Sequence, residues 1–269
     1  MVDLKALRRD AAALLSEGKV KLVIGYRLRD SRRLPSFFTT APQIETLLFD
    51  DECKQNLASY LHKGEIRRLL PVAIVARPAV MRSLVMLVAE SQIKPEDVLV
   101  LAVGTEYHGV LDLAAAADLL KEKYAHLDPD ATVAKEIEQL MARSPEDRAA
   151  FWAAEFAKCT RCYACRATCP GCYCTRCIVE KNAPQWISTA AAEHGNFAWN
   201  IIRAFHLAGR CTECGACEAA CPQGIRLMLL NAVLARGVEA AFGQRPGYDP
   251  AAKPTIGSWK PEDAEEFIR

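Results

Sequence analysis

The chain has 269 residues and a nearly balanced charge, with 34 Lys and Arg against 33 Asp and Glu and a formal net charge of +1. Because a nucleic-acid-binding surface needs an excess of basic residues, this balance argues against DNA or RNA as a partner. A hydrophobic fraction of 51% excludes a disordered chain. Of the twelve cysteines, eleven fall between Cys159 and Cys221, which is the dominant feature of the sequence.

The sequence predicts a cytoplasmic protein. Residues 1–10 are rich in charge and lack an apolar stretch, so no signal peptide is expected. The most apolar segment, 70–89, is interrupted by Arg77 and Arg82, so no membrane span is expected either. In a reducing cytosol, densely spaced cysteines indicate metal or redox sites rather than disulfides.

Residues 1–143 alternate between helical and strand patterns. The apolar periodicity predicts helices over 3–17, 81–93 and 109–124 and strands over 19–26, 70–76 and 98–103. Alternation of strand and helix predicts an α/β domain with a mainly parallel sheet. We expect this domain to dock partner subunits.

Residues 144–242 are predicted to form a second, mostly α-helical domain. Ser144 and Pro145 are suited to begin a helix over 145–157, which leads directly to Cys159. A further helix is expected over about 226–242. Residues 243–269 contain four prolines and predict an extended tail, which wraps a neighbour or remains mobile.

Two cysteine runs share the spacing CxxCxxCxxxCP. The first is Cys159, Cys162, Cys165 and Cys169 before Pro170, and the second is Cys211, Cys214, Cys217 and Cys221 before Pro222. This is the ferredoxin-type run that binds [4Fe–4S] clusters, in which the fourth cysteine binds the other cluster. Crossed ligation predicts one cluster on Cys159, Cys162, Cys165 and Cys221. It predicts the other on Cys169, Cys211, Cys214 and Cys217.

The segment between the two cysteine runs predicts a helix. Aromatic and aliphatic residues within 186–207 recur mostly at helical spacing. A helix leading into the second run resembles the α-helical dicluster ferredoxin domain found in iron–sulfur subunits of heterodisulfide reductase and succinate dehydrogenase. His194 and His206 flank this helix, and each is either a residue that binds or tunes a cluster or a packed or exposed histidine.

Four cysteines remain outside the two sets: Cys53, Cys172, Cys174 and Cys177. Four thiolates suffice for a third [4Fe–4S] cluster or for a tetrahedral zinc ion, with Cys53 joining the two domains. The alternative is that Cys53 is a buried apolar cysteine and that no site is shared.

The stretch 104–109 is a weaker candidate site. It follows the strand over 98–103 and precedes a predicted helix, and such loops lie at the sheet edge where ligands bind. Glu106 and His108 are placed there to act on a proton, although a plain connecting loop explains them equally. Neither GxGxxG nor a P-loop is present, so nothing supports direct binding of NAD or ATP.

The sequence resembles the beta-subunit family of coenzyme F420-reducing hydrogenases and formate dehydrogenases. The similar segments are KLVIGY, DECKQNLASYL, VAIVARPAVMRSLVMLVAESQIKPEDVLVLAVGTEYHGVLDL, RCYACRATCPGCYCTRC and FHLAGRCTECGACEAACPQGI. The chain looks closer still to relatives found with heterodisulfide-reductase-like flavoproteins. The resemblance implies partners of these kinds: a heterodisulfide-reductase-like flavoprotein, a hydrogenase or a formate dehydrogenase.

Two differences from the family bear on whether this chain binds a flavin. Relatives often carry a GTPC-type loop where this chain has residues 104–107, and a KGCD-like segment where it has residues 76–79. In the family, these regions adjoin the flavin or an extra cluster. The α/β domain is therefore a possible degenerate flavin-binding domain, and FAD is not favoured as a cofactor.

The leading functional hypothesis is an electron-transfer subunit, in which two or three clusters relay single electrons between a flavin- or metal-containing catalytic partner and another subunit. The alternative is a flavin-binding catalytic subunit that reduces a deazaflavin-type hydride carrier, using the loop over 104–109. A third hypothesis is a structural adaptor whose α/β domain mainly docks partners. No residue is assigned a catalytic role.

Overall fold

The computed structural model describes residues 2–125, 131–181 and 183–255. The first range contains a five-stranded sheet with helices around it. The other two ranges contain the cysteine loops and the helices that support them, and no strand is assigned in these two ranges. Within all the described residues, no helix combines the length and apolar character needed to cross a membrane.

The sheet has three parallel central strands and two antiparallel edges. Its strands are β1 (Val23–Arg29), β2 (Arg32–Phe38), β3 (Val72–Ala76), β4 (Val98–Val103) and β5 (Tyr107–Leu111). They lie in the order β2-β1-β3-β4-β5, with β1, β3 and β4 parallel and β2 and β5 antiparallel to their neighbours. Every residue of β3 is buried, as its continuous apolar sequence requires of a central parallel strand.

The expectation of a mainly parallel sheet is therefore corrected to a mixed sheet. β1 and β2 form a hairpin whose turn residues, Asp30 and Ser31, have φ angles of 49° and 61°, as a tight hairpin turn requires. β5 pairs with β4 and occupies residues that the sequence assigned to the start of a helix. The helix begins later because the Asp112 side chain accepts a hydrogen bond from the Ala115 N–H and caps it.

Eleven α-helices are described. They are α1 (Leu4–Ser16), α2 (Gly64–Arg67), α3 (Pro78–Ala89), α4 (Leu113–Tyr124), α5 (Ala131–Met141), α6 (Pro145–Ala157), α7 (Ala164–Ala167), α8 (Ile178–Lys181), α9 (Glu193–Leu207), α10 (Ala216–Ala219) and α11 (Leu227–Phe242). Short 3-10 helices occupy Ala41–Thr46, Leu57–His62 and Pro95–Asp97. The predicted start of α6 is observed, with the Ser144 hydroxyl accepting from the Asp147 N–H.

Helix α3 lies between the sheet and the cysteine loops. Its residues from Val80 to Leu87 are all buried, although Arg82 and Ser83 are polar. A helix that is buried on all sides has neighbours on all sides. One part of α3 belongs to the core of the α/β region, and Arg82, Ser83 and Met86 reach the second cysteine loop.

The cysteine region has its own apolar core. Phe156 of α6, Trp199 of α9 and Leu230 of α11 are buried in it, together with Cys165 and Cys217. The three long helices thus pack around the two cysteine loops, and the loops are part of this core.

Residues 243–255 lie against the α/β region. The Arg82 guanidinium donates to the Pro246 carbonyl at 3.1 Å and lies 4.8 Å from the centre of the Tyr248 ring. Between them, Gly247 has φ 88°, and a Cβ there would lie 2.5 Å from the Arg82 carbonyl oxygen, so the close approach needs glycine. The rest of the predicted tail, 256–269, lies outside the described residues.

Candidate metal centres

The two cysteine runs fold into loops with the same backbone conformation. Arg161 and Tyr163 in the first loop have φ angles of 58° and 59°, and Glu213 and Gly215 at the equivalent positions have 54° and 72°. For the three residues that are not glycine, this left-handed conformation costs roughly 1–2 kcal/mol each. The repeated spacing of the sequence therefore produces a repeated and locally strained turn.

Each turn directs a backbone donor at a thiol. The Arg161 N–H donates to Cys159 Sγ at 3.4 Å, and the Glu213 N–H donates to Cys211 Sγ at 3.4 Å. Hydrogen bonds of this kind favour a charged sulfur over a neutral one. Each loop thus places a backbone N–H where it can donate to a sulfur that is bound to a metal.

One cavity is lined by four cysteines drawn from both runs. They are Cys159, Cys162, Cys165 and Cys221. Trp199 and Leu227 contribute apolar walls. These four cysteines are the set that the sequence assigns to one cluster.

A second cavity is lined by the other four cysteines of the runs. They are Cys169, Cys211, Cys214 and Cys217. Met86 of α3 and Asn231 of α11 also line it, and the Asn231 amide nitrogen lies 3.7 Å from Cys217 Sγ. The second cavity therefore adjoins the α/β region through α3.

The donor chemistry of both cavities fits a cluster of iron. Burial raises the pKa of the Cys165 thiol and raises that of Cys217 to about 12. Near neutral pH these thiols carry protons unless a cation replaces them, so metal binding would release protons. Cubane clusters held by four thiolates are the group that this number of cysteines and this spacing fit.

Arg203 supplies positive charge between the cysteine loops. Its side chain is buried, and its Nη2 donates to the Cys165 carbonyl at 3.0 Å. Burial alone would lower the pKa of Arg203, but the neighbouring Cys169 and Cys172 sulfurs outweigh it and raise the pKa. The guanidinium thus remains charged beside cysteines of both runs.

Helix α9 fixes the first loop through a polar stripe. The Asn196 amide donates to the Cys159 carbonyl at 2.8 Å, one turn before the Asn200 amide donates to the Asn196 carbonyl at 2.8 Å. Sequence reasoning missed Asn196, Arg203 and Asn231 as residues of the centres. The signal was present, because Asn196, Asn200 and Arg203 recur at helical spacing on a helix whose other buried positions are mostly apolar.

A third cavity contains the three cysteines that the ferredoxin runs leave over. Cys172, Cys174 and Cys177 line it together with His206 of α9. Its volume is about 290 Å³, against about 20 Å³ for each of the other two, and Cys174 and His206 are exposed at its mouth. Across the described residues, no three His, Cys, Asp or Glu side chains converge on one position for a single metal ion.

The structure does not bring Cys53 to this cavity. Cys53 is buried in the core of the α/β region, and its thiol lies 3.6 Å from Asp50 Oδ1, within hydrogen-bond reach. Burial raises the pKa of Cys53 to about 12. These surroundings fit the alternative that the sequence left open, in which Cys53 is a buried cysteine inside an apolar core.

The α/β region contacts the second cysteine loop through buried polar groups. Ser83 of α3 lies 2.8 Å from Thr212 Oγ1 and accepts a hydrogen bond from the Asn56 amide at 2.8 Å. The His62 Nε2 lies 2.8 Å from the Pro170 carbonyl, so that nitrogen carries the proton and donates. Burial lowers the pKa of His62, which keeps the ring neutral.

The loop over 104–109 is part of a hairpin rather than a strand-to-helix connection. The His108 ring lies 2.9 Å from the Tyr124 hydroxyl, and Glu106 lies 3.5 Å from Lys123 Nζ, both partners being on α4. A Cβ at Gly104 would lie 2.0 Å from the Tyr124 hydroxyl oxygen. These side chains are engaged in joining β4 and β5 to α4.

Two comparisons with known proteins bear on the site. A family profile described as a 4Fe-4S dicluster domain matches residues 158–226, the range that contains both ferredoxin runs. The chain is also similar to the beta subunit of an F420-dependent formate dehydrogenase from Methanocaldococcus jannaschii, with 32% identity over 104 residues. That alignment covers 38% of this chain and 27% of the relative.

Both comparisons support the resemblance inferred from the sequence. They support [4Fe–4S] clusters and an iron–sulfur electron-transfer role for the chain. The shared part spans about a quarter of the length of the formate dehydrogenase subunit.

Proposed function

We propose that this chain is an electron-transfer subunit of a cytoplasmic oxidoreductase complex of the heterodisulfide reductase, hydrogenase or formate dehydrogenase type. It relays single electrons between a flavin- or metal-containing catalytic subunit and another redox partner. The observation that carries the proposal is the pair of cavities, each lined by four cysteines drawn from both runs.

We assign Cys159, Cys162, Cys165 and Cys221 to one [4Fe–4S] cluster and Cys169, Cys211, Cys214 and Cys217 to the other. This crossed assignment is supported by the lining of the two cavities. It follows from the geometry of the run, in which three closely spaced thiolates surround one cluster and the fourth points away.

The two centres are close to one another. Arg203 donates to the Cys165 carbonyl of the first set and interacts electrostatically with Cys169 and Cys217 of the second. One buried cation that acts on cysteines of both sets supports a relay rather than two separate structural sites.

The proposal keeps the two domain boundaries that the sequence predicts. Residues 144–242 form the dicluster domain of the mostly helical type, supported by the packing of α6, α9 and α11 around the loops. Residues 1–143 dock a partner subunit and bring it near the second centre, which is supported by the lining of that cavity by Met86 of α3.

The test is to substitute one ligand of the second centre in the full chain, purified without oxygen. We expect Cys214→Ser to lower the iron content by about four atoms per chain and to abolish the reduced-state EPR signal of the second centre. Electron transfer through the assembled complex should stop. Cys53→Ser is the matched control, because Cys53 is a buried cysteine outside the cavities.

Crossed ligation has its own readout. Cys221→Ser should abolish the same EPR signal as Cys162→Ser, and Cys169→Ser the same one as Cys214→Ser. Uncrossed pairing would give the opposite result. Unchanged electron transfer in Cys214→Ser would contradict the relay, and a stoichiometric flavin absorbance in the purified chain would favour the flavin-binding catalytic alternative.

A further inference from the structure

We propose that Cys172, Cys174, Cys177 and His206 hold a third [4Fe–4S] cluster, in which the His206 imidazole takes the place of a fourth thiolate. The inference rests on the proposed function and deepens it, since it adds a redox centre and identifies its ligands. It replaces Cys53, the ligand expected from counting cysteines, with a residue that only the folded chain brings to the trio.

The first argument is the composition of the cavity. All four side chains line the same space of about 290 Å³. A cluster is held at the corners of a volume, whereas a zinc ion needs its ligands to meet at a point.

The second argument is the position of the cavity relative to the other two centres. Trp199 lines both this cavity and that of the first centre. Gly171, Leu207 and Arg210 line both this cavity and that of the second centre. A cluster here would be a neighbour of both centres, and the exposed Cys174 and His206 would place it at the protein surface.

The third argument is the charge around the cavity. Arg166, Arg203 and Arg210 line it, and neither Asp nor Glu is among its lining residues. A [4Fe–4S] cluster with three thiolates and a neutral imidazole has a net negative charge in both redox states. Nearby cations stabilise the charged form of such a group.

The fourth argument is that hydrogen bonds hold the cysteine-bearing loop in place. Arg166 Nη2 donates to the Cys174 carbonyl at 3.0 Å, and Arg210 Nη1 donates to the Tyr173 hydroxyl at 3.0 Å. That hydroxyl donates in turn to Glu90 at the end of α3 at 2.8 Å. Ligands whose loop is fixed in this way are arranged before the metal arrives.

The experiment uses the full chain purified without oxygen, with iron, acid-labile sulfide, zinc and flavin measured per chain. We expect about 12 irons with equal sulfide, and about 8 in Cys174→Ala. In the reduced protein, pulsed EPR should detect coupling of one cluster to an imidazole nitrogen. His206→Cys should retain about 12 irons and lose that coupling.

Two control variants sharpen the result. His194 lies on the same helix as His206 and is also exposed, but it lines a different cavity. His194→Ala should therefore leave both the iron content and the nitrogen coupling unchanged. Cys53→Ala should also retain the full iron content. A loss of about four irons in Cys53→Ala, or no nitrogen coupling in the parent protein, would overturn His206 as the ligand.

About 8 irons in the parent protein would overturn the third cluster, as would zinc or a flavin that is lost in Cys174→Ala. Neither the lower iron content nor bound zinc affects the two-centre relay, whereas a flavin would favour the flavin-binding catalytic alternative. That relay is tested separately by Cys214→Ser, so the two proposals fail independently.

Discussion

Asn231 is a single side chain through which α11 acts on the second centre. Its amide nitrogen lies 3.7 Å from Cys217 Sγ and also donates to the Leu227 carbonyl at 2.9 Å. Hydrogen bonds to cluster sulfurs raise the reduction potential, because they stabilise the more negative, reduced state. We therefore expect Asn231→Leu to lower the potential of the second cluster by up to about 60 mV, a tenfold change for one electron.

The measurement is an EPR-monitored redox titration of the full chain. The first cluster is the internal reference, because the lining of its cavity does not include Asn231. A downward shift of both potentials, or of neither, would contradict a local role for this amide.

Cys53 and Cys217 show that burial alone does not distinguish a cysteine of a metal centre from a cysteine packed in an apolar core. Both are buried, and burial raises the pKa of each thiol to about 12. Cys217 faces three other thiols across a cavity, whereas Cys53 faces Asp50. The spacing of the run predicts Cys217 as a ligand from the sequence, but no pattern of spacing connects Cys53 with residues more than a hundred positions away.

At the scale of the element, α9 is the helix that supports the first centre. Asn196 and Arg203 are buried and donate to the carbonyls of Cys159 and Cys165. We expect Asn196→Leu to lower the free energy of unfolding by about 1–3 kcal/mol, since it leaves the Cys159 carbonyl without that donor. The first cluster should also be lost faster than the second when an iron chelator is added.

Anaerobic denaturation and EPR during chelation measure these two effects. Phe197→Ala is a suitable control, since Phe197 follows Asn196 directly on α9, is 45% exposed and has no side-chain atom that can donate a hydrogen bond to the cysteine loop. Equal loss of both clusters in Asn196→Leu would mean that α9 does not support the first loop selectively.

In the hairpin of β4 and β5, the sequence predicts the first strand but not the second. The strand over 98–103 was predicted with the bounds that are observed, because six consecutive apolar residues suit a buried strand. β5 is short and only partly buried, and it directly precedes α4. Its pairing with β4 depends on a nonlocal contact that no periodicity within the segment reports.

At the scale of the whole molecule, buried charges join the α/β region to the second centre. Arg82 of α3 lies 3.7 Å from Glu213, and Arg245 lies 3.2 Å from the same carboxylate. Arg82 and Glu213 are each about 5% exposed, so the buried carboxylate needs the two arginines to neutralise its charge. Glu213 also donates its N–H to Cys211, which couples this ion pair to the cluster loop.

We expect Glu213→Gln to destabilise the protein by about 3–5 kcal/mol, the usual effect of removing one partner from a buried pair. The second cluster should then be lost faster than the first, because only the second loop contains Glu213. Thermal unfolding and EPR during chelation check the two statements. Glu17→Gln, which breaks an exposed pair with Lys19, should change stability by less than about 1 kcal/mol.

The sequence by itself determined the cofactor class, the eight cysteines expected to hold two clusters, the α/β character of the first region and the start of α6. These features depend on the spacing and periodicity of residues near one another in the sequence, which can be read without the tertiary structure. The tertiary structure decided the mixed sheet, the separation of Cys53 from the cysteine trio, the approach of His206 to that trio and the buried ion pair between Arg82 and Glu213. Each of these depends on contacts between distant segments, and such contacts form only when burial of apolar surface packs α3, α9 and α11 around the loops.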